Sequence, residues 1–215
     1  MNHQVIPAII ADNFSDLQQK INKVKDYVDW IQLDVMDGRF VQRITWYNPQ
    51  ELKDLNPEIM QQVNFEAHLM VYKPERVIEP WLKSGVKRIY IHYESTHRKA
   101  ELIEQIKRAG IEVGFALDIV TPYTFIESFI PNLDAVLIMT VRPGKSGQKF
   151  REETLSKVRN LHKKYPNLPI GVDGGVNPDT AKQILEAGAT RLCSGSYVLE
   201  SADTQQAIET LKNIK

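Results

Sequence analysis

The chain has 215 residues, 27 Lys+Arg against 27 Asp+Glu, and 42% hydrophobic residues. A chain of that length buries roughly 70% of its unfolded surface, and a charged fraction of 25% among abundant aliphatics excludes disorder. Zero net charge without a basic block argues against nucleic acid or an anionic membrane as the main partner, and apolar runs such as Ala135 to Met139 are too short to span a bilayer.

The first strand-like run, Val5–Ile10, leads to a segment of helical period over Phe14–Val24. Trp30–Met36 and Val63–Met70 follow as strands, then Glu75–Lys83 as a helix, Arg88–His92 as a strand and Ala100–Ala109 as a helix. Glu112–Leu117, Ala135–Thr140, Ile170–Asp173 and Arg191–Ser194 read as the remaining strands, and Tyr123–Phe129, Glu152–Tyr165, Pro178–Ala187 and Thr204–Ile214 as helices. Asn177-Pro178 is a helix start, with the asparagine as cap and proline at the first helical position. Gly85, Gly110 and Gly188 each follow a helical segment, where glycine takes the left-handed conformation. Eight strand-like runs over 215 residues give about 27 residues per unit, the spacing of a βα repeat. The series predicts one (β/α)8 TIM barrel over 1–215. The competing doubly wound sheet usually stops at five or six strands, and no Gly-x-Gly-x-x-Gly follows the first strand here.

In such a barrel the carboxyl ends of the strands carry the active site. With period two, Gln32, Asp34 and Met36 share one face of the second strand and Glu66, His68 and Met70 one face of the third. Asp173 ends the seventh. Two carboxylates and an imidazole at one rim can hold a divalent metal, and the carboxylates can act as base and acid on opposite faces of a substrate. Taken singly, each could equally be a strand-end cap or a satisfied core polar group. The loop from Arg142 through Gly144, Lys145, Ser146 and Gly147, the pair Gly174-Gly175, and Ser194-Gly195-Ser196 add glycine-bearing turns after the last three strands. Such turns let backbone N–H groups approach an anion, so a phosphorylated small molecule is expected there. They could also be plain βα turns. Bulk at Gly175, as in Gly175→Val, is expected to weaken that ligand and leave the fold intact.

Several stretches together resemble the ribulose-phosphate 3-epimerase family over essentially the whole chain. They are Asp34-Val35-Met36-Asp37-Gly38-Arg39-Phe40-Val41, His68-Leu69-Met70-Val71, Met139-Thr140-Val141, Gly147-Gln148-Lys149-Phe150, Val172 through Pro178, and Ser194-Gly195-Ser196. The resemblance implies a (β/α)8 barrel that moves a proton at C3 of ribulose 5-phosphate, giving xylulose 5-phosphate through an enediolate. It implies that Asp34 and Asp173 are the acid/base pair and that they bind a divalent metal (Zn, Mn, Mg or Fe) with His68. It also implies that Met36, Met70 and Met139 pack around the planar intermediate. No organic cofactor is implied.

The departures from the family pattern sit on the same rim. The family's fourth metal ligand, a histidine, is here Gln32. The serine of its first-strand Pro-Ser pair is Ala8, the aspartate a few residues later is Asn13, and the loop read as Glu-Pro-Gly-Phe-Gly-Gly is Arg142 through Gly147. A neutral amide oxygen is a poorer zinc ligand than imidazole and suits harder ions better, so a weak or absent metal is expected. The alternative function is a divergent sugar-phosphate-binding barrel with altered or no epimerase activity. An aldolase or decarboxylase would need a Schiff-base lysine at a strand end, whereas Lys73 and Lys145 fall in loops. The lone Cys193 excludes an intrachain disulfide and points to a cytoplasmic chain, for which a homo-oligomer is expected.

Overall fold

A computed structural model describes residues 3–144 and 147–214. Among these, eight parallel strands pair in chain order, and the last returns to the first to close a barrel. They are β1 (Gln4–Ile9), β2 (Trp30–Met36), β3 (Asn64–Met70), β4 (Arg88–His92), β5 (Glu112–Leu117), β6 (Ala135–Met139), β7 (Ile170–Asp173) and β8 (Arg191–Ser194). The surrounding helices are α1 (Phe14–Val24), α2 (Pro57–Gln62), α3 (Ile78–Leu82), α4 (Lys99–Arg108), α5 (Leu155–Lys164), α6 (Pro178–Glu186), α7 (Ser196–Leu199) and α8 (Thr204–Lys212). Among the described residues no helix is long and apolar enough to cross a membrane.

Asparagine caps set the starts of α1 and α6. Asn13 caps α1 by accepting from the Asp16 N–H at 3.0 Å, and Asn177 caps α6 by accepting from the N–H groups of Asp179 and Thr180. The Thr180 hydroxyl in turn accepts from the Asn177 N–H, which completes a capping box. The expected glycine terminators Gly85, Gly110 and Gly188 all have positive φ.

Two helical expectations are corrected. Tyr123–Phe129 is not an α-helix but a short 3-10 turn at Tyr123–Ile126, followed by another at Ile130–Asn132. Glu75–Lys83 divides into a 3-10 turn at Pro74–Arg76 and the short α3, separated by Val77 at φ −125°. The long β2–β3 connection, to which the sequence pattern assigns no element, holds a 3-10 helix at Pro49–Asp54 and then α2, capped by Asn56 with proline at its first position.

Strand alternation separates two cores. Ile31, Leu33 and Val35 face outward and pack with the helices in the main hydrophobic cluster, as do Leu102, Ile103 and Ile106 from α4. Inside the barrel Ile6, Ala8, Tyr90, Ala116, Leu137, Met139 and Cys193 form a smaller apolar cluster. The amino-terminal end is plugged by charge. Arg88 bonds Glu66 at 2.5 Å and Glu112 at 2.6 Å and lies over the Trp30 ring at 4.0 Å, while Arg191 donates to the Tyr90 hydroxyl at 3.3 Å. With that end closed, the polar side chains at the carboxyl ends of the strands share the one cavity described next.

Candidate active site

Parallel register fixes the layers of the site. β2 and β3 pair Gln32 with Glu66, Asp34 with His68 and Met36 with Met70, and β6 pairs Met139 with Asp173 of β7. Thr45 fastens the end of β2, its hydroxyl donating to the Asp34 carbonyl at 3.1 Å and accepting from the Met36 N–H at 2.9 Å. Thr140 secures β7, donating to the Asp173 carbonyl at 3.0 Å. Both carboxylate-bearing strand ends are therefore held by a threonine from a neighbouring loop or strand.

Asp34, His68 and Asp173 are buried and meet around Gln32. The Gln32 Nε2 donates to Asp34 Oδ1 at 2.8 Å and to Asp173 Oδ2 at 2.7 Å. His68 Nδ1 lies 3.0 Å from Asp34 Oδ1 and 3.4 Å from Asp173 Oδ2. Burial opposes charge on His68, but the hydrogen bonds and charges of Asp173 and Asp34 outweigh it and lift the imidazole to about 9. Burial and the facing Asp173 carboxylate push Asp34 above the ordinary carboxylate value, against the His68 and Gln32 hydrogen bonds.

The donor set suits a divalent cation. Asp34, His68 and Asp173 each offer one ligand atom, all within 4.8 Å of one another. The Gln32 Oε1 is buried without a hydrogen-bond partner among the described residues, an arrangement that ordinarily costs about 1–3 kcal/mol. Turning the amide over would bring that oxygen to the carboxylates, which is repulsive unless a cation stands between them. Two carboxylates, one imidazole and an amide oxygen then form a set that fits a divalent metal.

A cavity of about 290 Å³ opens above these groups. Met36, Met70 and Met139 line it along with Ala8, and Gly144, Gly147, Gly174, Gly175, Gly195 and Ser196 border it on the β6–β8 side. Ser146 lies outside the described residues. Gly174 and Gly175 have φ of +114° and +63°, and a Cβ on Gly175 would stand 3.0 Å from the Phe150 backbone nitrogen. Gly175→Val therefore strains the backbone as well as filling space, which corrects the expectation that it spares the fold.

Sequence reading missed Lys20 and Arg43 on the cavity wall. Lys20 Nζ donates to the Ile10 carbonyl and Asp16, and Arg43 to Asp12. It also missed His92, whose Nε2 lies 2.9 Å from His68 Nε2. A signal for His92 existed: with period two along β4 it shares the inward face of Arg88 and Tyr90, one strand from His68.

Comparison with known proteins agrees with this geometry. The family model described as the ribulose-phosphate 3-epimerase family matches residues 4–199. The ribulose-phosphate 3-epimerase of Schizosaccharomyces pombe is 37% identical over 98% of this chain and 92% of its own length. That of Bacillus subtilis is 36% identical over 99% of both chains. Among solved structures, 3-keto-L-gulonate-6-phosphate decarboxylase from Vibrio cholerae superposes with a TM-score of 0.77 at 13% identity, covering 99% of this chain and 96% of that one. The 3-hexulose-6-phosphate synthase of Salmonella typhimurium gives 0.74 at 15% identity, covering 97% and 96%. At those identities the structural matches speak for the barrel alone. The family match over nearly the whole chain and the two full-length relatives make this chain a member of the ribulose-phosphate 3-epimerase family.

Proposed function

We propose that the chain epimerises ribulose 5-phosphate and xylulose 5-phosphate at C3 by proton exchange between two carboxylates. The observation that carries this reading is the convergence of Asp34 and Asp173, from strands on different sides of the barrel, on one amide nitrogen. An ionised carboxylate takes the C3 proton from one face, leaving an enediolate, and the other carboxyl gives a proton to the opposite face. The two aspartates end the turnover with their protonation states exchanged. Burial and the facing Asp173 carboxylate push Asp34 upward, which eases its taking up a proton during the exchange. Met36, Met70 and Met139 give the flat intermediate an adaptable apolar wall. The phosphate lies against the turns at Gly174, Gly175, Gly195 and Ser196, with Gly144 and Gly147 at the rim beside it.

Asp34, His68 and Asp173 would hold a divalent cation, with the Gln32 oxygen as a weak fourth ligand better suited to Mg²⁺ or Mn²⁺ than to Zn²⁺. A bound cation would supply Lewis acidity toward the charge developing on the enediolate. A cytoplasmic homo-oligomer belongs to the same reading, supported by the single, buried Cys193 and by exposed Ile44, Tyr47 and Tyr72.

The test is the purified protein with ribulose 5-phosphate, with and without added Mn²⁺, Mg²⁺ or Zn²⁺. Xylulose 5-phosphate should form, and Asp34→Asn or Asp173→Asn should lower the rate at least about 10²-fold, the usual contribution of a general acid or base. Rates within tenfold of the parent in both variants would make the carboxylates structural.

A further inference from the structure

Beyond the groups that face the substrate, a buried relay runs from His68 to the edge of the barrel. His68 Nε2 and His92 Nε2 lie 2.9 Å apart. Their ring centroids are 5.1 Å apart, so the rings meet end to end rather than face to face. His92 Nδ1 lies 3.4 Å from Glu94 Oε2. The other oxygen, Oε1, accepts from the Asp118 N–H at 3.0 Å, and the Thr121 hydroxyl bonds the same carboxylate. His92 is fully buried and packs under Phe40 at 4.8 Å.

We propose that Glu94 is a positioning residue that sets, through His92, which nitrogen of His68 faces the cavity with a free lone pair. A carboxylate can only accept, so the proton of neutral His92 sits on Nδ1 and its Nε2 is an acceptor. The single proton between the two rings then belongs to His68 Nε2. Nδ1, the nitrogen that faces Asp34 and Asp173, donates its proton to Asp34 in the metal-free protein, and when a cation displaces that proton the lone pair is left on Nδ1. The inference rests on the reading of Asp34, His68 and Asp173 as a cation site.

An isosteric change inverts the chain of donors. In Glu94→Gln the oxygen must stay on the Asp118 N–H, so the new amide nitrogen faces His92 Nδ1 as a donor. His92 then carries its proton on Nε2, points it at His68 Nε2, and forces the His68 proton onto Nδ1. The first readout is ¹⁵N NMR of the histidines in the full chain without metal. His92 should be protonated at Nδ1 in the parent and at Nε2 in Glu94→Gln. The second is Mn²⁺ affinity, which should fall about 10–100-fold, the range for loss of a partner behind a ligand. His92→Phe, which keeps a ring but no acceptor, should weaken Mn²⁺ similarly, and adding Glu94→Gln to it should weaken Mn²⁺ no further. The same His92 tautomer in parent and Glu94→Gln would overturn the proposal. So would an undiminished Glu94→Gln effect in the His92→Phe background, since the carboxylate would then act on the cation by charge alone. Absence of epimerisation with these tautomers intact would count against the proposed reaction and leave the relay standing.

Discussion

Replacing Gln32 with histidine should tighten divalent metal binding by roughly a hundredfold. To expose its oxygen to a cation, Gln32 must break Nε2 hydrogen bonds to Asp34 at 2.8 Å and Asp173 at 2.7 Å. Hydrogen bonds to charged groups contribute about 1.5–3 kcal/mol each, so the rotation costs about 3–6 kcal/mol. Satisfying the stranded Oε1 returns about 1–3 kcal/mol. The difference centres near ~2.5 kcal/mol, on the order of a hundredfold in affinity, before the better basicity of imidazole is counted. A neutral imidazole at position 32 has one N–H and so gives up at most one such bond. The assay is competition for Zn²⁺ and Mn²⁺ against a chelator of known affinity, with thermal denaturation to show that the barrel is intact. Zinc should gain more than manganese, because nitrogen replaces oxygen in the ligand set. A gain under threefold for both ions, or stoichiometric zinc held by the parent through dialysis against chelator, would refute the role given to Gln32.

Two further outcomes follow from the same geometry. His68 titrates at about 9 in the fold against an ordinary 6.5, so its contribution is full below pH 6.5 and is lost as pH rises toward 9. The loss is on the order of 3 kcal/mol, because 1 unit corresponds to about 1.4 kcal/mol and the group is buried; urea unfolding in chelator at pH 6 and pH 9.5 should show it, and His68→Gln should flatten it. A parent curve with no slope over that window would contradict the His68–carboxylate pairing. Gly195 sits at φ −90° and ψ −91°, and a Cβ added there would stand 3.3 Å from the Ala8 carbonyl oxygen; Gly195→Ala should raise KM for the sugar phosphate at least about tenfold with a smaller fall in Tm than Gly175→Val, whose backbone is left-handed. An unaltered KM in Gly195→Ala would remove that turn from the phosphate site.

The barrel was legible because strand period, helix period and terminator glycines repeat in step along the chain. Asp34, His68 and Asp173 were legible for a narrower reason, since each is a polar residue at the carboxyl end of an otherwise apolar run. What failed was local. The Asn56-Pro57 start of α2 carries the same signal as Asn177-Pro178, but its six residues present one buried side chain, Ile59, and no apolar period. Tyr123–Phe129 has aromatic and aliphatic residues at helical spacing, yet it forms only a 3-10 turn over Tyr123–Ile126. His92 escaped because its importance is relational: the β3–β4 register pairs His68 with Tyr90, and only the folded side chains bring His92 within 2.9 Å of His68. The position of the Gln32 amide nitrogen between two carboxylates was beyond sequence reading as well, since a lost ligand does not reveal what fills its place.

The fate of the C3 proton in the two aspartate variants tests the two-carboxylate exchange most directly. If Asp34 and Asp173 serve opposite faces, Asp34→Asn should exchange the C3 hydrogen of one epimer with solvent deuterium, and Asp173→Asn that of the other, with neither forming product at an appreciable rate. Proton NMR of ribulose and xylulose 5-phosphate incubated in D₂O with each variant reads this out. Exchange of the same epimer by both variants, or continued epimerisation by either within tenfold of the parent, would contradict a two-carboxylate exchange at C3.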